Sequence, residues 1–265
     1  MTAQAMPFNI QDPYWSKVHP GMPCRIKHRI ILVRHGESES NIELMTSGQT
    51  SEYQTDYGLT ALGMEQAQDV ADLFESKGIK YHSFYSDRVQ ISPLLRAIQT
   101  AAPTLKKSPY CDDGVLCDVI INYELRGNYS KKPCLVSMPD IYYNKLELLP
   151  RLNTKNFDKK HNCDIEWEHY WVRKPETDSE FCTRVKGVVD EWKKEGTVGE
   201  RKQTIVFTHS QFISQVLAGD SKMSFHLANG SISIIDIDEK NDLHVQVANY
   251  TKHLRTPTGM HTCIF

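Results

Sequence analysis

Two short runs of apolar, largely β-branched residues each stop at a histidine. Ile30-Ile-Leu-Val33 runs into Arg34-His35-Gly36, and Thr204-Ile-Val-Phe-Thr208 runs into His209-Ser210. An uninterrupted apolar run of this length has no polar face to offer water. It reads as a strand covered on both sides, the pattern of parallel sheets sandwiched between helices. In open sheets of that kind ligands gather beyond the carboxyl ends of the strands. Histidine there can act as a nucleophile, and arginine beside it presents a planar fork of donors that fits phosphate oxygens.

The remaining segments supply the alternation such a sheet needs. Leu59 to Phe74 repeats apolar residues at helical spacing after a capping Thr60, and Gly78 ends it. Phe84-Tyr85-Ser86 reads as a short strand leading to a loop with Asp87, Arg88, Ser92 and Pro93. A helix from about Leu94 to Leu105 follows, with Arg96 in its first turn. Val115 to Ile121 reads as a strand leading into Asn122-Tyr-Glu124-Leu-Arg126-Gly127. Phe181 to Lys194 is amphipathic and stops at Gly196; an apolar helix spans Phe212 to Ala218. Ile232–Ile237 and His244–Ala248 look like a closing strand pair. The expected fold is α/β, a three-layer α/β/α sandwich around a mostly parallel sheet.

Three stretches break the rhythm. Residues 1–28 read as an irregular arm, and 42–57 as a polar, turn-rich loop bordering the site. Residues 128–180, interrupted by Pro133, Pro139, Pro150 and Pro175, read as an inserted cap within a single domain over 1–265. The cap holds equal numbers of basic and acidic residues, and the whole chain has a formal net charge of −2. Neither gives an electrostatic case for nucleic acid or an anionic membrane as partner. The first residues lack a secretory leader's basic and apolar regions, and no apolar run is long enough to span a bilayer. Seven cysteines at irregular spacing read as reduced thiols, so a cytoplasmic location is expected. The sequence carries no signature of a particular oligomeric state.

Taken singly, each polar residue has an ordinary explanation. A histidine at a strand end is usually structural, and Arg34 or Arg96 alone reads as a surface ion-pair partner. Ser38 and Asn41 read as caps of a following helix, and Glu37 as a structural partner of its loop. What changes the reading is convergence. Arg34, His35, Arg96, Glu124 and His209 all follow strands whose carboxyl ends share one edge of the sheet.

The segments also resemble, in order, the signature of the histidine phosphatase superfamily, in the branch with cofactor-dependent phosphoglycerate mutases and fructose-2,6-bisphosphatases. Arg34-His35-Gly36-Glu37-Ser38 with Asn41 resembles its core motif, and Leu59-Thr60-x-x-Gly63-x-x-Gln66-Ala67 its first helix. Tyr85-Ser86-Asp87 followed by Leu95-Arg96-Ala97-x-Gln99-Thr100-Ala101 is similar to its second arginine segment. Glu124 and Thr208-His209-Ser210 resemble the acid and the second histidine, and the segments at Asn229 and Asn249 also resemble the family. Three features depart from the pattern. Glu124 lies closer to Gly127 than expected, Ser210 stands where glycine is frequent, and Ser40 stands where mutases have tryptophan.

The resemblance implies phosphoryl transfer. His35 would attack phosphorus and form a phosphohistidine, and Glu124 would act as general acid and then base. Arg34, Arg96, His209, Asn41, Ser38 and Ser210 would hold the phosphate, with further N–H donors from Gly36 and the following backbone. Because arginines and histidines carry the charge, neither a metal nor a cofactor is expected. The substrate would be a small phosphorylated molecule or a phosphoprotein. The expected activity is a phosphate monoester hydrolase. A phosphoglycerate-type mutase and a catalytically inactive phosphate- or partner-binding module are the alternatives.

Overall fold

The computed structural model describes residues 26–47, 56–76, 88–107, 118–127, 134–137, 165–167, 170–173, 175–196, 202–219 and 225–257. Its central strand is β1 (Ile26–Arg34), which is longer than the apolar run alone. The other strands of its sheet are β2 (Arg88–Ile91), β3 (Asp118–Ile121), β7 (Lys202–Thr208), β8 (Ile232–Asp238) and β9 (Leu243–Tyr250). They lie in the order β3-β2-β7-β1-β8-β9. β3, β2, β7 and β1 run parallel, while β8 and β9 pair antiparallel. The four parallel strands therefore deliver their carboxyl ends to one edge.

The helices are α1 (Glu39–Ser47), α2 (Ala61–Ser76), α3 (Leu95–Lys107), α4 (Asp178–Glu195) and α5 (Ser210–Ala218). Successive side chains of a strand point to opposite faces, so each central strand feeds two cores. Ile31 and Val33 join Val89, Ile91 and Phe207 against Val70 and Phe74 of α2 and Ile98 of α3. Ile30 and Leu32 join Val206 and Ile235 against Phe181, Val185 and Trp192 of α4 and Phe212 of α5. This is the expected three-layer sandwich. A bidentate ion pair within it, Arg29 Nε and Nη2 to Asp236 at 2.6 and 2.7 Å, locks β1 to β8.

Several expectations shift. Residues 84–86 lie outside the described residues, and the strand before α3 is Arg88–Ile91, a stretch whose residues predict a loop. Its two polar side chains hid it. Gln90 is buried and accepts a hydrogen bond from Trp192 Nε1 at 3.1 Å, and Arg88 pairs with Glu195. Residues 42–47, expected as loop, complete α1, which starts where Ser38 O accepts from the N–H groups of Asn41 and Ile42. Helix α4 begins at Asp178, inside the expected cap, because Thr177 and Glu180 form a capping box. Within 128–180 a separate antiparallel sheet forms from β4 (Cys134–Ser137), β5 (Ile165–Trp167) and β6 (Tyr170–Arg173). Of the expected arm over residues 1–28, residues 26–28 instead open β1, paired to β8 and β7, and residues 1–25 lie outside the described residues.

Candidate active site

Register puts the two histidines side by side. Arg34 pairs with Thr208 across the β1–β7 ladder, so the next residues, His35 and His209, leave adjacent parallel strands at the same level. The His35 N–H donates to Thr208 O at 3.0 Å, extending the ladder by one bond. The ring centroids lie 5.1 Å apart with planes inclined at 57°. Both side chains are buried.

Gly36 follows His35 because of a close approach rather than an unusual backbone angle. A Cβ there would sit 2.4 Å from Gly63 O, and a Cβ on Gly63 would sit 1.9 Å from Glu37 O. Two glycines thus let the loop after β1 lie against the start of α2. The loop's backbone N–H groups are occupied: Gly36 donates to Thr100 Oγ1 (3.0 Å), Glu37 to Gln66 Oε1 (2.8 Å) and Ser38 to Asn41 Oδ1 (3.1 Å). The expectation that this backbone supplies phosphate donors is therefore corrected, since its hydrogen bonds are spent on α1, α2 and α3.

His35 has a defined tautomer. Its Nδ1 lies 2.7 Å from Gly36 O, an acceptor, so Nδ1 carries the hydrogen and Nε2 the lone pair. Burial, then the charges of Arg96 and Arg34, hold its pKa well below the usual histidine value. The same causes, with His35 itself, hold His209 low. Both rings are neutral at physiological pH. His209 is the N-cap of α5 and its Nε2 lies 2.7 Å from Ser92 Oγ, at the end of β2. Its Nδ1 is buried without a hydrogen-bond partner among the described residues.

Arg34 ends β1, where Nη1 donates to Leu227 O. Burial, and then the nearby Arg96, push its pKa down to about 10. Two guanidiniums crowding one buried space is an arrangement that a dianion would relieve. The amino ends of α3 and α5 face the same edge, and Arg96 and Ser210 stand in their first turns. Asn41 Oδ1 accepts from Ser38 N–H, Ser38 Oγ (2.9 Å) and Asn229 Nδ2 (3.1 Å), which turns its own NH2 the other way. Arg34, His35, Asn41, Arg96, His209 and Ser210 line one open cleft.

Two expected members stand apart. Ser38 is fully buried and its hydroxyl bonds Asn41 and Ser40, so it orders the loop. Glu124 lies not on a strand but in a 3-10 turn, Tyr123–Leu125, just beyond β3. Its side chain is 38% exposed, with Oε2 4.0 Å from Arg126 Nη1. The turn still touches the site, because a Cβ on Gly127 would lie 3.6 Å from His209 Cβ. Sequence reasoning missed Ser92 and Asn229. Ser92 sits in the Ser-Pro pair before α3, and Asn229 donates to both His35 O (3.3 Å) and Asn41.

The profile of the histidine phosphatase superfamily (branch 1) matches residues 30–118, which include Arg34, His35 and Arg96. A curated relative, "Probable phosphoglycerate mutase GpmB" of Proteus mirabilis (strain HI4320), is 38% identical over 98 residues, 37% of this chain and 37% of that protein. The aligned stretch thus spans little more than a third of that relative's length. A phosphoglycerate mutase from Bacillus anthracis str. Sterne is 16% identical and covers 87% of this chain and 96% of its own, with a TM-score of 0.51. The ecdysone phosphate phosphatase of Bombix mori, in complex with tungstate, is also 16% identical, covering 85% and 94% with a TM-score of 0.50. These two likenesses show the histidine phosphatase fold. His209, outside the matched segment, joins the superfamily's core motif through the β1–β7 register.

Proposed function

We propose that this chain is a phosphatase that hydrolyses phosphate monoesters through a phosphohistidine on His35. The observation that carries the reading is the state of that ring: neutral, its Nδ1–H held by Gly36 O, its Nε2 free to attack, beside His209 and two arginines. Arg34, Arg96, Asn41 and Ser210 hold the phosphate oxygens, and His209 donates to them as the charge builds. Nε2 of His35 attacks phosphorus as the ester oxygen leaves with a proton from Glu124. Water then attacks phosphorus, Glu124 takes its proton, the P–N bond breaks and Nε2 recovers its lone pair.

A mutase is the second reading, favoured by the relative from Proteus mirabilis. Ser40 at the cleft favours the phosphatase, because mutases of this branch resemble each other in a tryptophan there. The substrate is a small phosphorylated molecule or a phosphoprotein, and the irregularly spaced cysteines suit the cytoplasm. Among the described residues no helix is long and apolar enough to cross a membrane. Release of inorganic phosphate from alkyl and aryl phosphates tests the reading. Transfer of phosphate from 2,3-bisphosphoglycerate to 3-phosphoglycerate without net release replaces it with the mutase.

A further inference from the structure

The turn that carries Glu124 is held from outside by its carbonyls. Four consecutive carbonyl oxygens each accept a hydrogen bond from another element. Arg184 Nη1 donates to Glu124 O (2.5 Å) and Arg126 O (3.1 Å), and Arg184 Nη2 donates to Gly127 O (3.1 Å). Thr208 Oγ1, one residue before His209, donates to Leu125 O (2.5 Å). The remaining Arg184 donors go to one carboxylate: Nε to Glu176 Oε2 at 3.0 Å, and Nη2 to Glu176 Oε1.

All five N–H bonds of one guanidinium are thereby used, three on the turn and two on Glu176. The Arg184 side chain is only 6% exposed and its guanidinium lies 5.0 Å from the centre of the Phe181 ring. Surface arginines do not commit every donor in this way, because water competes for them. Glu176 has a second contact. Its Oε2 lies 3.5 Å from Arg126 Nη2, and Arg126 Nη1 lies 4.0 Å from Glu124 Oε2. The pair therefore reaches the acid by two routes, through its backbone and through Arg126.

We infer that Arg184, set by Glu176, is a positioning residue for the proton donor of the reaction. It fixes the Glu124 turn against His209 so that the carboxyl meets the leaving oxygen. This rests on the phosphatase reading and deepens it. Arg184 touches neither substrate nor phosphorus. In the first step its effect runs through the proton that Glu124 delivers and so depends on how strongly the leaving group needs one; the second step, in which Glu124 takes a proton from water, is the same for every ester. Lysine in its place keeps the charge but offers at most three donors without the planar fork.

The test compares an alkyl and an aryl phosphate in the wild-type chain and in Glu124→Gln, Arg184→Met, Arg184→Lys and Glu176→Gln. The alkyl ester needs protonation of its leaving oxygen; the aryl ester needs it far less. Arg184→Met is expected to lower kcat/KM, which reports the step in which the leaving group departs, at least about tenfold more on the alkyl ester than on the aryl ester. Arg184→Lys should fail to restore the alkyl rate, and Glu176→Gln should show the same selective loss to a smaller degree. Should Arg184→Met not fold, Glu176→Gln, which keeps shape and size, decides the matter by the same ratio. Equal losses of kcat/KM on both esters, no loss, or full activity with lysine would overturn the inference. The reading beneath it fails separately: wild type would then form no phosphohistidine on His35, or Glu124→Gln would lose kcat/KM on both esters equally.

Discussion

Ser92 Oγ and His209 Nε2 lie 2.7 Å apart, joining the ends of β2 and β7 beneath the candidate phosphate site. Nε2 is thus committed to a serine, and the buried Nδ1 is the nitrogen left to meet a phosphoryl oxygen. Replacing Ser92 by alanine removes the group that holds this orientation. Ser92→Ala is expected to lower kcat by about tenfold, near 1.4 kcal/mol, by loosening His209. Steady-state kinetics on an aryl phosphate measures it, and an unchanged kcat would show that His209 needs no support from Ser92.

Gly63 makes the sharpest steric prediction. A methyl group there would lie 1.9 Å from Glu37 O, which is backbone and cannot rotate away. Gly63→Ala should cost about 2–4 kcal/mol of stability by prising the loop after β1 from α2. It should also reduce turnover, since His35 sits in that loop. Denaturant unfolding with parallel assays checks both, and a variant of wild-type stability would mean that the loop has room to move.

Three buried histidines make stability depend on pH. His28 is held between Trp192 O and Thr204 Oγ1, and burial pushes its pKa down to about 4. His35 and His209 are also depressed. A depressed histidine is neutral when folded and takes up a proton when unfolded as pH drops below about 6.5. Its stabilisation is therefore complete above that value and lost on the way down, for His28 between about 6.5 and about 4. The gap corresponds to roughly 3 kcal/mol for this residue. Unfolding free energy should fall over this window, and His28→Gln should flatten part of the slope. A flat profile across the window in the wild-type chain would contradict the neutral, buried assignment.

Activity is expected without divalent cations. Arg34, Arg96 and the neutral histidines balance a phosphate dianion by themselves, so turnover should survive dialysis against EDTA. A strict metal requirement, restored by adding back one cation, would contradict it.

What could be read from the residues alone follows a physical line. His35 and His209 were legible because apolar runs fix strands by themselves, and parallel strands share an edge. The length of β1, the strand Arg88–Ile91 and helix α1 were not. Gln90 looks like a loop residue until Trp192, from a helix 102 positions away, supplies its hydrogen bond. Ser38 looked like a phosphate ligand until its burial showed that it serves Asn41. Arg184 stood unnoticed on an amphipathic helix, since its significance lies in carbonyls 57 to 60 residues earlier. Polar side chains take their meaning from partners that only the folded chain brings near.

The most direct test of the account is the covalent state of His35 during turnover. Mixing Glu124→Gln with a labelled aryl phosphate, quenching in alkali and mapping the label by mass spectrometry should place one phosphoryl group on His35. His35→Ala should carry none and lose at least roughly a thousandfold in rate, about 4 kcal/mol. A label on another residue, or near wild-type turnover by His35→Ala, would contradict the account.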